Sequence, residues 1–287
     1  MSANIRGMLL CVAGVLLLSP DVLVMRWVGI EHSEVLYWRG LFLTFGFALV
    51  TLLRYRSKSL RALLKAGWAG VACGLLFAMS TYCFTRSVQQ TSATATMMII
   101  GTAPVFAAII SWWTMKELIS KQTMLVIAVT LLGIALISSD KGSLNTMTGK
   151  LYALATAVFM ALNFNLTRLK APRDITPGLL FGGLFTLSLA LVDEAGSTQA
   201  DTGQIVAIGL LCVVLLPISF TMLQLAPRYI SATEVSLFMI LESIVGPLWV
   251  WLVLGEIPAL LTLIGGLVII MGLALHTVYS RSERRSR

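Results

Sequence analysis

The chain alternates between long apolar runs and short polar punctuation, and the runs have a common length. Ten of them approach the ~20 residues that a helix needs to cross a hydrocarbon layer. They predict spanning helices over 7–25, 35–53, 67–85, 93–113, 123–139, 149–167, 178–192, 205–225, 232–254 and 259–279. The seventh is short, rich in glycine, and ended by Asp193-Glu194.

The pattern occurs twice. Ser92-Ala93-Thr94, Trp112, Glu117, Thr123, Val129, Gly133, Ala135 and Leu136 return, at one constant offset and without a gap, as Ser231-Ala232-Thr233, Trp251, Glu256, Thr262, Val268, Gly272, Ala274 and Leu275. At a slightly different offset Gly7, Ala13 and Arg26 fall on Gly149, Ala155 and Arg168, with Asp21 facing Asn163. A register kept that long predicts two copies of one folding unit. The copies occupy 1–140 and 141–280, and 281–287 is a basic tail.

Composition agrees with a membrane solvent. Of the 287 residues 57% are hydrophobic and only 12% charged, and a soluble fold of this size has too little interior to hide that much apolar surface. The net charge of +8 sits in short loops and in the tail, so it points to a membrane surface and not to nucleic acid. All four cysteines, Cys11, Cys73, Cys83 and Cys212, lie in apolar runs with no CxxC spacing, which predicts small packing residues and no metal site or disulfide. The first run is followed by Ser19-Pro20-Asp21 and not by a small-residue cleavage motif, so it is expected to stay attached.

Loop charges set an orientation. With the N-terminus inside, the inner segments hold Arg6, Arg54, Arg56, Lys58, Arg61, Lys65, Lys116, Lys121, Arg168, Lys170, Arg173, Arg228 and the tail arginines. The outer ones hold Arg26, Arg86, Lys141 and Lys150. That bias predicts cytoplasmic termini. Each repeat holds an odd number of spans, five, so the second must enter the membrane from the opposite side. The expectation is an all-α integral membrane protein of ten transmembrane helices, arranged as two inverted five-helix repeats. Carriers built this way place their site near mid-membrane between the halves.

The span count, the duplicated unit and the closing segments Trp112-to-Glu117 and Trp251-to-Glu256 resemble the drug/metabolite transporter superfamily, specifically its EamA-type members. Tyr37-Trp38-Arg39-Gly40 is similar to that family's second-helix opening, and Leu241-Glu242 ahead of Pro247 to its ninth helix, although Ser243 stands where many members carry proline. The resemblance implies a carrier in a bacterial-type inner membrane that moves amino acids, other metabolites or drugs.

Nothing resembles a catalytic centre. There is no Ser/His/Asp set, the histidines are His32 and His276, and no ATPase signature appears, so the chain reads as a non-enzyme without cofactor, driven by a gradient. Intramembrane ionisable groups are the strongest signal, because each is costly unless it faces a cavity or a partner. Glu242 lies ten residues into a helix entered at Ala232, about 15 Å deep at the helical rise, and shares a stripe with Met239, Ser243 and Gly246. It is either a substrate or proton contact or a hydrogen-bonded lock between helices. Asp21 and Arg39 match in depth and could form an ion pair near the outer side, a gate or structural glue. Asn163 heads a stripe with Thr156, Met160 and Thr167, and Met79, Tyr82, Cys83 and Arg86 form another. Thr102 in the fourth span completes the polar candidates.

The candidate substrate contacts are thus Arg39, Met79, Tyr82, Thr102, Asn163, Met239, Glu242 and Ser243, with Asp21 and Arg39 as the gate. Glu117 and Glu256 lie just past span ends and read as structural caps for the helix that follows. The leading function is secondary-active transport, in the export direction, of a small polar metabolite such as an amino acid, with or without proton coupling. Lipids and the substrate are the partners, and the chain works as a monomer or homodimer. Two alternatives stay open: an exporter of lipophilic cationic drugs, whose cavity would be aromatic and acidic with Arg39 tied up by Asp21, and a non-transporting membrane subunit.

Overall fold

The computed structural model describes residues 3–116, 125, 128–129, 132–133, 135–136, 146–171, 173–192 and 200–285, and of 3 and 273–285 the backbone alone. Glu117, most of 123–139, Lys141 and Asp193-Glu194 therefore lie outside the described residues.

All regular structure among the described residues is helical. In chain order the helices are α1 Ala3–Leu18, α2 Asp21–Val28, α3 His32–Tyr55, α4 Ser59–Gln90, α5 Ala93–Ile100, α6 Ala103–Met115, α7 Met147–Lys170, α8 Leu179–Val192, α9 Thr202–Leu210, α10 Leu216–Leu225, α11 Ala232–Phe238, α12 Ile240–Leu254 and α13 Leu260–Arg285. Among the described residues, six helical segments are long and apolar enough to cross a membrane, and Thr176–Val192 and Leu260–Gly272 are shorter apolar helices. The described residues between 125 and 136 are helical.

Three of the apolar runs are interrupted. Pro20 has no N–H to give the carbonyl of Leu16, and Ser19 fills the vacancy by donating its hydroxyl to that carbonyl at 2.9 Å. The chain then restarts as α2. Gly101 and Thr102 separate α5 from α6, and Met239 separates α11 from α12. Between α9 and α10 a single π-helical turn spans Leu211–Leu215 just ahead of Pro217, where the proline cannot bond the carbonyl four residues back.

Close backbone approaches fix the direction of neighbouring helices. Gly40 lies directly against Leu187, and Gly183 against Thr44, so residue numbers rise on α3 as they fall on α8 and the two run antiparallel. A side chain on either glycine would strike backbone, which is how small residues bring membrane helices together. Gly7 meets Ile230 and Gly14 meets Leu223, making α1 antiparallel to α10. Gly70 faces Gly178 and Gly182 faces Phe77, making α4 parallel to α8. Gly133 packs on Ile269 and Gly272 on Val129, so the described part of 123–139 is antiparallel to α13. The interior face of these contacts is a continuous apolar core that includes Cys11, Cys73 and Cys212. All four cysteines are buried and free.

Candidate functional site

The helix restarts place two acids. Asp21 and Glu242 stand in the first turn of α2 and α12, where the helix dipole favours a carboxylate. Both line one cavity of about 50 Å³. Arg39 from α3, Ser80 and Thr81 from α4, Thr156 and Asn163 from α7, and Gln224 from α10 supply its other polar groups. Phe77, Phe84, Phe164 and Phe220 supply phenyl walls, with Leu18, Met97, Ile100 and Met160 between them.

Asp21 and Arg39 meet in a bidentate pair, with Nη1 donating to Oδ1 at 2.5 Å and Nη2 to Oδ2 at 3.0 Å. Their side chains are 4% and 1% exposed. The planar fork of the guanidinium matches the carboxylate, and the same guanidinium lies 5.6 Å from the centre of the Phe84 ring. Glu242 is 7% exposed, and no hydrogen-bond partner faces its carboxyl among the described residues.

Across the cavity Asn163 and Gln224 form an amide cluster. Gln224 donates to the Asn163 side-chain oxygen at 2.8 Å and to the Thr167 hydroxyl, and Asn163 donates to the carbonyl of Cys73 at 3.3 Å. These bonds fix both amides, so each presents a defined edge to the cavity.

Four of the candidate residues, Asp21, Arg39, Asn163 and Glu242, are thereby brought together. The others lie elsewhere. Ser243 donates its hydroxyl to the Met97 carbonyl at 2.7 Å and so ties α12 to α5 beside both breaks. Thr102 donates to the carbonyl of Ile99 at 2.7 Å. Met239 packs in the apolar core. Tyr82 stands edge-on to His32 and Tyr152, with centroids 5.1 and 6.3 Å apart, and Met79 on the same helix is half-buried outside the cavity lining. Glu256, expected to accept backbone N–H groups, accepts Arg26 at 2.9 and 3.2 Å. Gln224 and the four phenyl groups were not among the sequence candidates. A lone glutamine near a span end carries a weak signal, and a phenylalanine facing lipid looks the same in sequence as one facing a cavity.

Away from the cavity, two arginines make matching contacts. Arg26 donates to the carbonyl of Val88 at 2.8 Å, and Arg168, its repeat equivalent, donates to that of Pro227 at 3.2 Å. Val88 and Pro227 each precede the repeated Ser-Ala-Thr by four residues. A further cluster joins three segments on Asp174, whose carboxylate accepts Arg54 at 2.8 Å, the Tyr55 hydroxyl at 2.7 Å and Arg228 at 3.2 Å. Among the described residues no group of His, Cys, Asp and Glu is placed to hold a metal ion.

A protein of known crystal structure superposes with a TM-score of 0.70 over 96% of this chain and 97% of its own, at 17% identity, which concerns the fold alone. The uncharacterized transporter YdfC of Bacillus subtilis (strain 168) is 27% identical over 236 residues, 79% of this chain and 74% of that protein. The model of the EamA-like transporter family matches residues 5–139 and 147–278. The chain therefore belongs to the EamA-like transporter family and is a multi-pass membrane transporter.

Proposed function

We propose that the chain is a secondary-active carrier that exports a small, amine-bearing polar metabolite such as an amino acid, and that Glu242 is the group its amine or a coupled proton engages. The observation behind this is the Glu242 carboxyl, which lines the cavity without a cation of its own while Asp21 already holds Arg39. In the proposed architecture ten helices form two inverted five-helix units, 1–140 and 141–280, with 281–287 as a cytoplasmic tail in a bacterial-type inner membrane. The two separate stretches matched by the family model and the reciprocal glycine contacts support that arrangement. Access to the cavity then alternates as contacts at the two ends open in turn. The Arg26 and Arg168 contacts are the equivalent latches, and the Asp21–Arg39 pair closes the cavity beneath the outer one.

Substrate release from loaded proteoliposomes tests this. Saturable efflux of an amino acid that Glu242→Gln abolishes supports it. Efflux by the variant at the wild-type rate removes Glu242 from the mechanism.

A second reading has its own support. Four phenyl groups line the cavity and Arg39 is occupied by Asp21, which suits a lipophilic cation, since phenyl faces and a carboxylate both attract one. Counterflow separates the readings. Tetraphenylphosphonium accelerating its own exchange where amino acids do not would select the second.

A further inference from the structure

α4 begins before its spanning stretch. Residues 59–66 make two helical turns, and Gly67 sets them off from the rest with φ 56° and ψ −149°. No atom lies within 4 Å of where its side chain would be, so the positive φ and not crowding calls for glycine there. On these turns Leu60 and Leu64, four residues apart, share a face and are 70% and 71% exposed. Trp68, just past the break, is also exposed, and the Lys170 ammonium lies 4.7 Å from its ring centre. Lys58, Arg61 and Lys65 flank the leucines and are exposed. Apolar side chains ending in an indole, with basic residues beside them, describe a segment lying in the plane of a membrane interface.

Beside this segment opens a pocket of about 480 Å³ lined by Tyr55, Ala62, Lys65, Arg173 and Asp174. Asp174 does not neutralise it, because its carboxylate is taken by Arg54, Tyr55 and Arg228. Lys65 and Arg173 have no acidic partner among the described residues, so the pocket keeps their positive charge. We infer that this corner is a docking site for an anionic phospholipid. The acyl chains lie against Leu60 and Leu64, Trp68 sits at the level of the glycerol, and Lys65 and Arg173 hold the headgroup phosphate. Charge complementarity selects an anionic over a zwitterionic lipid, since a choline or ethanolamine group would bring a further cation to a site that already has two uncompensated ones. The inference depends on membrane insertion and not on the transported substrate.

The test is the melting temperature of the purified protein in detergent micelles titrated with phosphatidylglycerol or phosphatidylcholine. A ligand that prefers the folded state raises it. Phosphatidylglycerol is expected to raise it and phosphatidylcholine not. The Lys65→Gln/Arg173→Gln double variant should need about tenfold more phosphatidylglycerol for half the effect, since basic residues near the surface contribute additively to anionic-lipid attraction. The Lys65→Arg/Arg173→Lys double variant should respond as wild type. Should the neutral variant not fold, wild type alone decides: salt at 1 M, where screening acts over about 3 Å, must remove the phosphatidylglycerol-specific part. Equal responses from wild type and the neutral variant, or a salt-insensitive response, would overturn the inference. A full response to inorganic phosphate without lipid would assign the pocket to a free anion instead.

Discussion

Asp21 and Glu242 occupy the same kind of place on different helices, each in the first turn of a helix that restarts part-way along its span. They differ in what else they meet. Asp21 holds the Arg39 guanidinium through two hydrogen bonds, whereas Glu242 faces the cavity with no cation. One acid is committed to a partner in the protein; the other is free to exchange partners.

Glu242→Gln should fold and insert, because the amide keeps the volume and removes a buried charge that no hydrogen bond among the described residues holds. If Glu242 carries a proton, the variant exchanges substrate for substrate in proteoliposomes but ignores a pH gradient. If it holds the substrate amine, binding weakens at least tenfold, as expected when a charge-assisted contact becomes a neutral one. Gradient-driven transport at the wild-type rate would leave Glu242 as a lock between helices.

For the buried pair, Asp21→Asn or Arg39→Gln alone strands an uncompensated charge and should destabilise the protein by about 3–5 kcal/mol. Removing both should be milder than the sum of the two, which a double-mutant cycle on melting temperature reads directly. Additive losses would mean that the two side chains do not depend on each other.

Orientation is checked by cysteine labelling, for which the four native cysteines are first removed although all are buried. A cysteine at Asp201, exposed ahead of α9, should react with an impermeant reagent added to intact cells. Cysteines at Lys58 and Arg173, also exposed, should react only after permeabilisation. The reverse pattern inverts the topology.

The Asp174 cluster carries a pH signature. Burial opposes ionisation of its carboxyl, but hydrogen bonds from Thr176 and Tyr55 and the charge of Arg54 outweigh it and hold the group below its ordinary range. A depressed carboxyl adds stability above the unfolded-state pKa of about 3.9 and loses it as pH falls through the folded value. The stability difference between wild type and Asp174→Asn, about 1–2 kcal/mol, should therefore be flat from pH 5 to 8 and vanish only in stronger acid. A difference that already shrinks at pH 6 would show that the cluster does not hold the carboxylate.

Run length made the long apolar helices legible, because a hydrocarbon layer imposes a common length and one backbone solution on a crossing segment. The reading even began the third span at Gly67, where the helix turns off its axis. The breaks at Pro20, Gly101 and Met239 are not placed by the sequence, since an apolar run shows no periodicity change when a few backbone bonds are redirected. That blind spot mattered for the site. Glu242 and Asp21 stood out as charges in apolar sequence, but their shared position at a helix start is visible only once the breaks are. Gln224 was missed for a related reason: its importance comes from Asn163 and Thr167, which are distant in sequence and touch it only in the fold.

The paired contacts of Gly40 with Leu187 and Gly183 with Thr44 are one contact made twice, with each partner standing four residues beyond the other's glycine. A surface that fits itself in this way needs no covalent link to find its mate. A chain cut within 141–145 and expressed as two fragments should therefore reassemble along this seam, because the connection between the halves adds proximity, while recognition already resides in where the backbones touch.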